Sequence, residues 1–143
     1  MTSNPASEHA QFNIGVKALI VKDGRLLFLK RQDHHKWELP GGRIEKDEAI
    51  ADTLRRELLE ELPQLKHCKI RGIIHAQPAD FQLPNGNNLM LLFFRVAAHL
   101  PELLTSSEEH QEARWVSASE LGSLKLQQPF MQAAEAVLRT SDC

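Results

Sequence analysis

Apolar positions in this chain fall into short blocks punctuated by glycine and proline. Phe12 to Val21 is apolar and β-branched, with Ile14, Val16, Leu19, Ile20 and Val21; Lys22-Asp23-Gly24-Arg25 follows, then a second apolar run from Leu26 to Leu29. Asp-Gly between two such runs signals a two-residue hairpin, because both turn positions need positive φ. The pattern predicts antiparallel strands over about 13–22 and 25–31. Residues 32–47, QDHHKWELPGGRIEKD, hold Pro40, Gly41 and Gly42 and read as loop, with short extended pieces at 37–39 and 43–44.

The period then changes from two to 3.6. Ala51, Leu54, Leu58 and Leu62 make one apolar stripe, which predicts a helix over 47–62 with Asp47 as its N-cap and Pro63 as its stop. Residues 69–77 and 88–98 read as strands. The second is almost continuously apolar from Leu89 to Phe94, as expected of a strand buried on both faces. Residues 101–112 form a polar, acidic loop, 113–116 a short strand, 117–121 a helix start, and 130–139 a last helix with Phe130, Ala133, Ala134, Val137 and Leu138 inward. The order β-β-α-β-β-β-α implies an α/β fold with helices packed on a mixed sheet. A flexible tail over 1–11 and one domain over 12–143 complete the expected organisation.

Bulk properties narrow the classes of function. The chain has 143 residues, 42% hydrophobic and 25% charged, with a formal net charge of −2. That charge offers no support for a nucleic-acid polymer or a membrane surface as partner. No apolar run approaches the roughly 18 residues of a membrane span. Residues 1–11 lack the apolar segment of a signal peptide. Cys68 and Cys143 make no disulfide framework. A cytoplasmic protein, monomeric or homodimeric, is the expectation.

The predicted helix carries an oddity. In RRELLEEL, residues 55–62, Glu57, Glu60 and Glu61 share one face, about a quarter-turn from the apolar stripe. Glu57 and Glu61 are a like-charge i,i+4 pair, which costs an isolated helix about 0.2–0.5 kcal/mol. They also crowd the helix C-terminus, where the dipole favours cations. The arrangement becomes favourable around a divalent cation, since hard cations such as Mg²⁺ take a carboxylate or two together with substrate phosphates. Pro40-Gly41-Gly42, just before, lets backbone approach a ligand closely.

The spacing Gly42-x5-Glu48-x7-Arg56-Glu57-Leu58-Leu59-Glu60-Glu61 resembles the signature of the MutT-like Nudix hydrolases, G-x5-E-x7-R-E-U-x-E-E-x-G-U, where U is a bulky aliphatic. The resemblance extends to Trp37-Glu38-Leu39-Pro40-Gly41-Gly42 and to Trp115-Val116-Ser117 with Glu120-Leu121, and covers roughly 12–138. Pro63 and Gln64 depart from the motif's late glycine and aliphatic, and Asp47 stands where many members have glycine.

The resemblance implies a Nudix-type α/β/α sandwich, with the mixed β-sheet between helices. It implies a pyrophosphohydrolase that cleaves a P–O–P bond of a nucleoside diphosphate linked to a group X, dependent on Mg²⁺ with Mn²⁺ as a substitute. It places Glu57, Glu60, Glu61 and the Gly41 carbonyl on the metal, and Arg56 with Glu48 as the pair that orients the helix. For the general base it offers Glu109, six residues before Trp115, and Glu112 second. A base must come within about 3 Å of the attacking water. Gly41, Gly42, Arg31, Trp37 and Phe81 are the candidate substrate contacts; His34 and His35 are weaker ones. The compact chain resembles the house-cleaning members that act on nucleoside triphosphates. ADP-ribose, dinucleoside polyphosphates and a catalytically silent nucleotide sensor stay open as alternatives.

Overall fold

The computed structural model describes residues 8–104 and 110–140. Its elements run β1 (Phe12–Leu19), β2 (Val21–Lys22), β3 (Arg25–Arg31), β4 (Trp37–Glu38), β5 (Gly41–Arg43), α1 (Ile50–Glu61), β6 (Cys68–Gln82), β7 (Asn88–Ala98), β8 (His110–Val116), a 3-10 helix (Ala118–Leu124) and α2 (Gln128–Thr140). One sheet has the order β5-β1-β7-β6. Within it β1 and β7 are parallel, while β1–β5 and β6–β7 are antiparallel, so the sheet is mixed. The other sheet is antiparallel, with β2 and β4 on one side of β3 and β8 on the other.

The two helices occupy opposite faces, and β3 shows why. Successive strand side chains point to opposite sides. Leu26 and Phe28 enter the core shared with α2, and Leu27 and Leu29 enter the core shared with α1. All four are buried. In β7, Leu89, Leu91 and Phe93 face the α2 side and Val96 the α1 side. A strand covered on both faces reads as a continuous apolar run, and the result is a helix-sheet-helix sandwich.

Three expectations about boundaries need correction. The first strand does not run unbroken over 13–22: it leaves one sheet at Leu19 and resumes in the other at Val21. The hairpin is therefore β2–β3, and Asp23 and Gly24 do both adopt positive φ, 52° and 73°. The helix begins at Ile50, with Ala49 at the N-cap and no side-chain cap bond. Asp47 is not the cap; it sits in a left-handed conformation with φ 66°. The acidic loop ends sooner than expected, because β8 starts at His110. Most of the tail expected over 1–11 lies outside the described residues.

Candidate active site

The site is built where the C-terminal half of α1 lies on β5. Pro40 delivers the chain to β1 through its carbonyl, which accepts the Ala18 N–H at 2.8 Å. Gly41 follows with φ 142°, and a Cβ there would overlap the Val16 carbonyl oxygen. A Cβ on Gly42 would overlap the Glu57 carboxyl group. The two glycines are thus required by two close approaches, one to strand backbone and one to an acidic side chain.

The carboxylates on α1 are held in different ways. Arg56 donates to Glu48 through Nε at 2.8 Å and Nη2 at 3.1 Å, and through Nη1 to Glu57 at 2.9 Å. Glu48 also accepts the Glu45 N–H and the Thr53 hydroxyl, at 2.9 and 2.7 Å. Arg56, then the Glu45 N–H and the Thr53 hydroxyl, bring the Glu48 carboxyl down to about 2. Glu61, by contrast, is buried, and among the described residues its Oε1 accepts a hydrogen bond from the Gly41 N–H at 2.8 Å. Burial pushes its carboxyl up to about 8; Lys17 and the Gly41 N–H oppose the rise, while Glu38 and Glu57 add to it. The acidic face is not uniformly solvated, as the helical wheel suggests. Glu60 alone of the three is well exposed, its nearest cation Arg56 at 3.9 Å.

Glu61 also meets two groups from distant sequence. His110 Nε2 lies 3.7 Å from Glu61 Oε2 and 3.6 Å from Glu38 Oε1. Glu38 is in turn 3.8 Å from Lys17 and 3.7 Å from Arg31. Burial alone would raise the Glu38 carboxyl, but His110, Lys17 and Arg31 outweigh it and hold the group below its ordinary value. Glu38, Glu61 and His110 bring one ligand atom each within 4.8 Å of one another.

A cleft runs from this acidic corner. Gly41, Gly42, Glu57 and Glu61 line one end; Lys17, Arg31 and His34 line the middle. The other end, a cavity lined by Trp37, Phe81, Leu89, Leu91 and Phe130, also carries Lys125 and Gln127. Arg31, Trp37, Phe81, Gly41 and Gly42 therefore share one cleft with Glu57 and Glu61. Arg31 is engaged within it, bonded to Asp33 at 3.0 and 3.2 Å. Glu60 is not among the lining residues. Glu48 and Arg56 stand behind Glu57. Glu112 is turned elsewhere, paired with Arg114 at 2.9 Å. Glu109 lies outside the described residues.

Lys17, Glu38, His110, Gln127 and Phe130 escaped the sequence reading as site residues. Glu38 sits inside WELPGG and was within reach of a motif argument. His110 was not, because it is carried into the core by a register shift between β3 and β8 that no local pattern announces.

A helix-sheet-helix protein with carboxylates gathered over a glycine bend, at the mouth of a cation-lined cleft, defines a class that known proteins share. Residues 11–139 match the NUDIX domain family, and the chain belongs to that family. It is 31% identical to the CTP pyrophosphohydrolase of Escherichia coli over 111 residues, 73% of this chain and 76% of that protein. It is 44% identical to a MutT-like protein of Streptomyces ambofaciens over 50 residues, 34% of this chain but only 32% of that protein, so it spans about a third of that relative. Among solved structures, the MutT protein of Methanosarcina mazei superposes with a TM-score of 0.75 at 26% identity, covering 95% of this chain and 99% of that one. The family and its hydrolase-named relatives support a pyrophosphatase. No helix among the described residues is long and apolar enough to cross a membrane.

Proposed function

We propose that this protein is a magnesium-dependent pyrophosphohydrolase that cleaves the P–O–P bond of a nucleoside diphosphate linked to a further group, with nucleoside triphosphates as its substrate class. The grouping along the cleft carries the reading: carboxylates together with Lys17 and Arg31 toward one end, and an apolar cavity at the other. That grouping is complementary to a nucleotide whose phosphates lie over Lys17, Arg31 and His34 and whose base enters the cavity beside Phe81 and Phe130. The similarity to a CTP pyrophosphohydrolase supports the triphosphate class.

The donors fit a hard divalent cation. Two carboxylates from one helix face meet over a bend that only glycine allows, and Glu61 is buried with little compensation for its charge. Glu57, Glu60, Glu61 and the Gly41 carbonyl would hold the ion. Bound Mg²⁺ would neutralise developing charge on the phosphates and acidify a coordinated water. Arg56, anchored on Glu48, fixes the Glu57 carboxylate in place, an outer-shell role. Glu109 is the assignment for the general base, carried by its position six residues before Trp115.

A substrate panel tests the reading. Nucleoside triphosphates, ADP-ribose and dinucleoside polyphosphates are incubated with Mg²⁺, with and without EDTA, and the nucleotide and phosphate products are resolved. Triphosphate turnover that EDTA abolishes is the expected result. Preference for ADP-ribose or a dinucleotide would overturn the substrate class alone. No turnover of any member, with Mg²⁺ or Mn²⁺, would overturn the enzyme and favour a nucleotide sensor.

A further inference from the structure

We propose that His110 is a positioning residue that holds the Glu61 carboxylate in the orientation needed to bind the divalent cation, an inference that rests on the metal reading above. Three elements distant in sequence meet at its imidazole: β8 through His110 itself, α1 through Glu61 and β4 through Glu38. The ring is 1% exposed, so its location in the core is defined by packing.

A bulge delivers it there. Along β3–β8, Lys30 opposes Glu112 and Arg31 opposes His110, which leaves Gln111 as an extra residue on β8. Bulges of this kind re-aim a side chain and are common beside active sites. The bulge places Nε2 beside Oε2 of Glu61, while the Gly41 N–H occupies Oε1. Oε1 of Glu61 is thereby held by a hydrogen bond from Gly41, while Oε2 has the buried imidazole packed 3.7 Å away, which limits how the carboxylate can turn. A carboxylate has about four lone-pair sites, so each oxygen keeps capacity for a metal.

His110 itself is not a metal ligand in this arrangement. Glu38, the third member of the cluster, is already flanked by the cations Lys17 and Arg31. A divalent ion set among Glu38, Glu61 and His110 would face both. The burial of the ring also leaves no place for the waters that Mg²⁺ retains. The ion belongs on the cleft side of Glu61, with His110 supporting that carboxylate from the core side.

The test compares His110→Gln, His110→Asn and His110→Leu. The glutamine amide reaches about as far as Nε2 and keeps a polar group beside Oε2 of Glu61; the shorter asparagine amide stops near Nδ1, and leucine offers no polar atom. Mn²⁺ affinity is read from the electron paramagnetic resonance of the free ion without nucleotide, alongside kcat, KM and thermal melting. Loss of an outer-shell partner typically weakens metal affinity about 10- to 100-fold. His110→Leu and His110→Asn are expected to show that loss, with kcat lowered and nucleotide KM at saturating Mg²⁺ little changed, and His110→Gln to recover most of it. Equal losses in all three folded variants, or wild-type Mn²⁺ affinity in His110→Leu or His110→Asn, would overturn the proposal. Wild-type protein that takes up no Mn²⁺ would overturn the metal reading itself, and this inference with it.

Discussion

Gly42 and Glu57 approach so closely that no side chain fits between them: a Cβ on Gly42 would lie inside the Glu57 carboxyl group. The residue at 42 therefore determines where the Glu57 carboxylate can be, although fifteen positions separate them in the chain.

Two alanine substitutions should separate site from fold. In Gly42→Ala the methyl meets the end of a side chain, which can rotate away. The protein should fold and melt close to wild type but lose Mn²⁺ affinity and turnover. In Gly41→Ala the methyl meets the Val16 carbonyl, and φ 142° is strained for any L side chain. Strain of that kind costs about 1–3 kcal/mol before any overlap is counted, so the expected loss of stability is larger than that. Denaturant unfolding of both variants checks the contrast; equal destabilisation would mean that Glu57 does not yield.

The Arg56 fork carries a second prediction. Its guanidinium meets Glu48 with two nitrogens and Glu57 with a third. A lysine keeps the charge but cannot reproduce the fork. Arg56→Lys should fold, because the half-buried pair keeps its opposite charges when lysine replaces arginine. Its kcat should fall about tenfold or more, as for other outer-shell partners of a metal site. Wild-type kcat would show that the fork is surface ornament.

Much of this arrangement was legible in sequence, for reasons that differ by element. Leu26 to Leu29 could be read because burial on both faces leaves an unbroken apolar run, and Asp23-Gly24 because its backbone demands positive φ. The Glu57 and Glu61 pair stood out because it is unfavourable for a helix alone. The Asp47 cap failed for a tertiary reason. The next residue, Glu48, uses its carboxylate for the Glu45 N–H, Thr53 and Arg56, and that network carries the chain past Asp47 before the helix starts. His110 was out of reach, since a histidine in an acidic stretch reads as solvated, and only pairing with β3 buries it.

Exposure separates the three α1 glutamates. The Glu57 side chain is 17% exposed and lines the cleft; that of Glu60 is 58% exposed and does not line it. Glu57→Gln should lower turnover by orders of magnitude with melting unchanged. Glu60→Gln should lower it as well, but by less. Phosphate release by Glu57→Gln equal to wild type would remove that residue from the metal.

The last prediction concerns pH. Burial raises the Glu61 carboxyl in the folded protein to about 8, against an ordinary 4.5. Between those values the folded state holds a proton that the unfolded state has released. Stability then falls as pH rises. The contribution is complete below about pH 4.5. It is lost progressively as pH rises to about 8, where the folded carboxyl ionises too. Glu48 acts with the opposite sign, but its carboxyl lies near 2, so it loses stability only in acid, as pH falls below its ordinary 4.5. Metal-free protein should therefore melt at a lower temperature at about pH 8.5, above that window, than at about pH 5.5, in its lower part. Glu61→Gln should flatten that slope, because its amide does not titrate. Mg²⁺ should reverse it, since binding requires the ionised carboxylate and displaces the proton. Calorimetry in buffers of different ionisation enthalpy would detect proton release on Mg²⁺ binding near neutral pH. A pH slope that survives in Glu61→Gln would place the titrating group elsewhere.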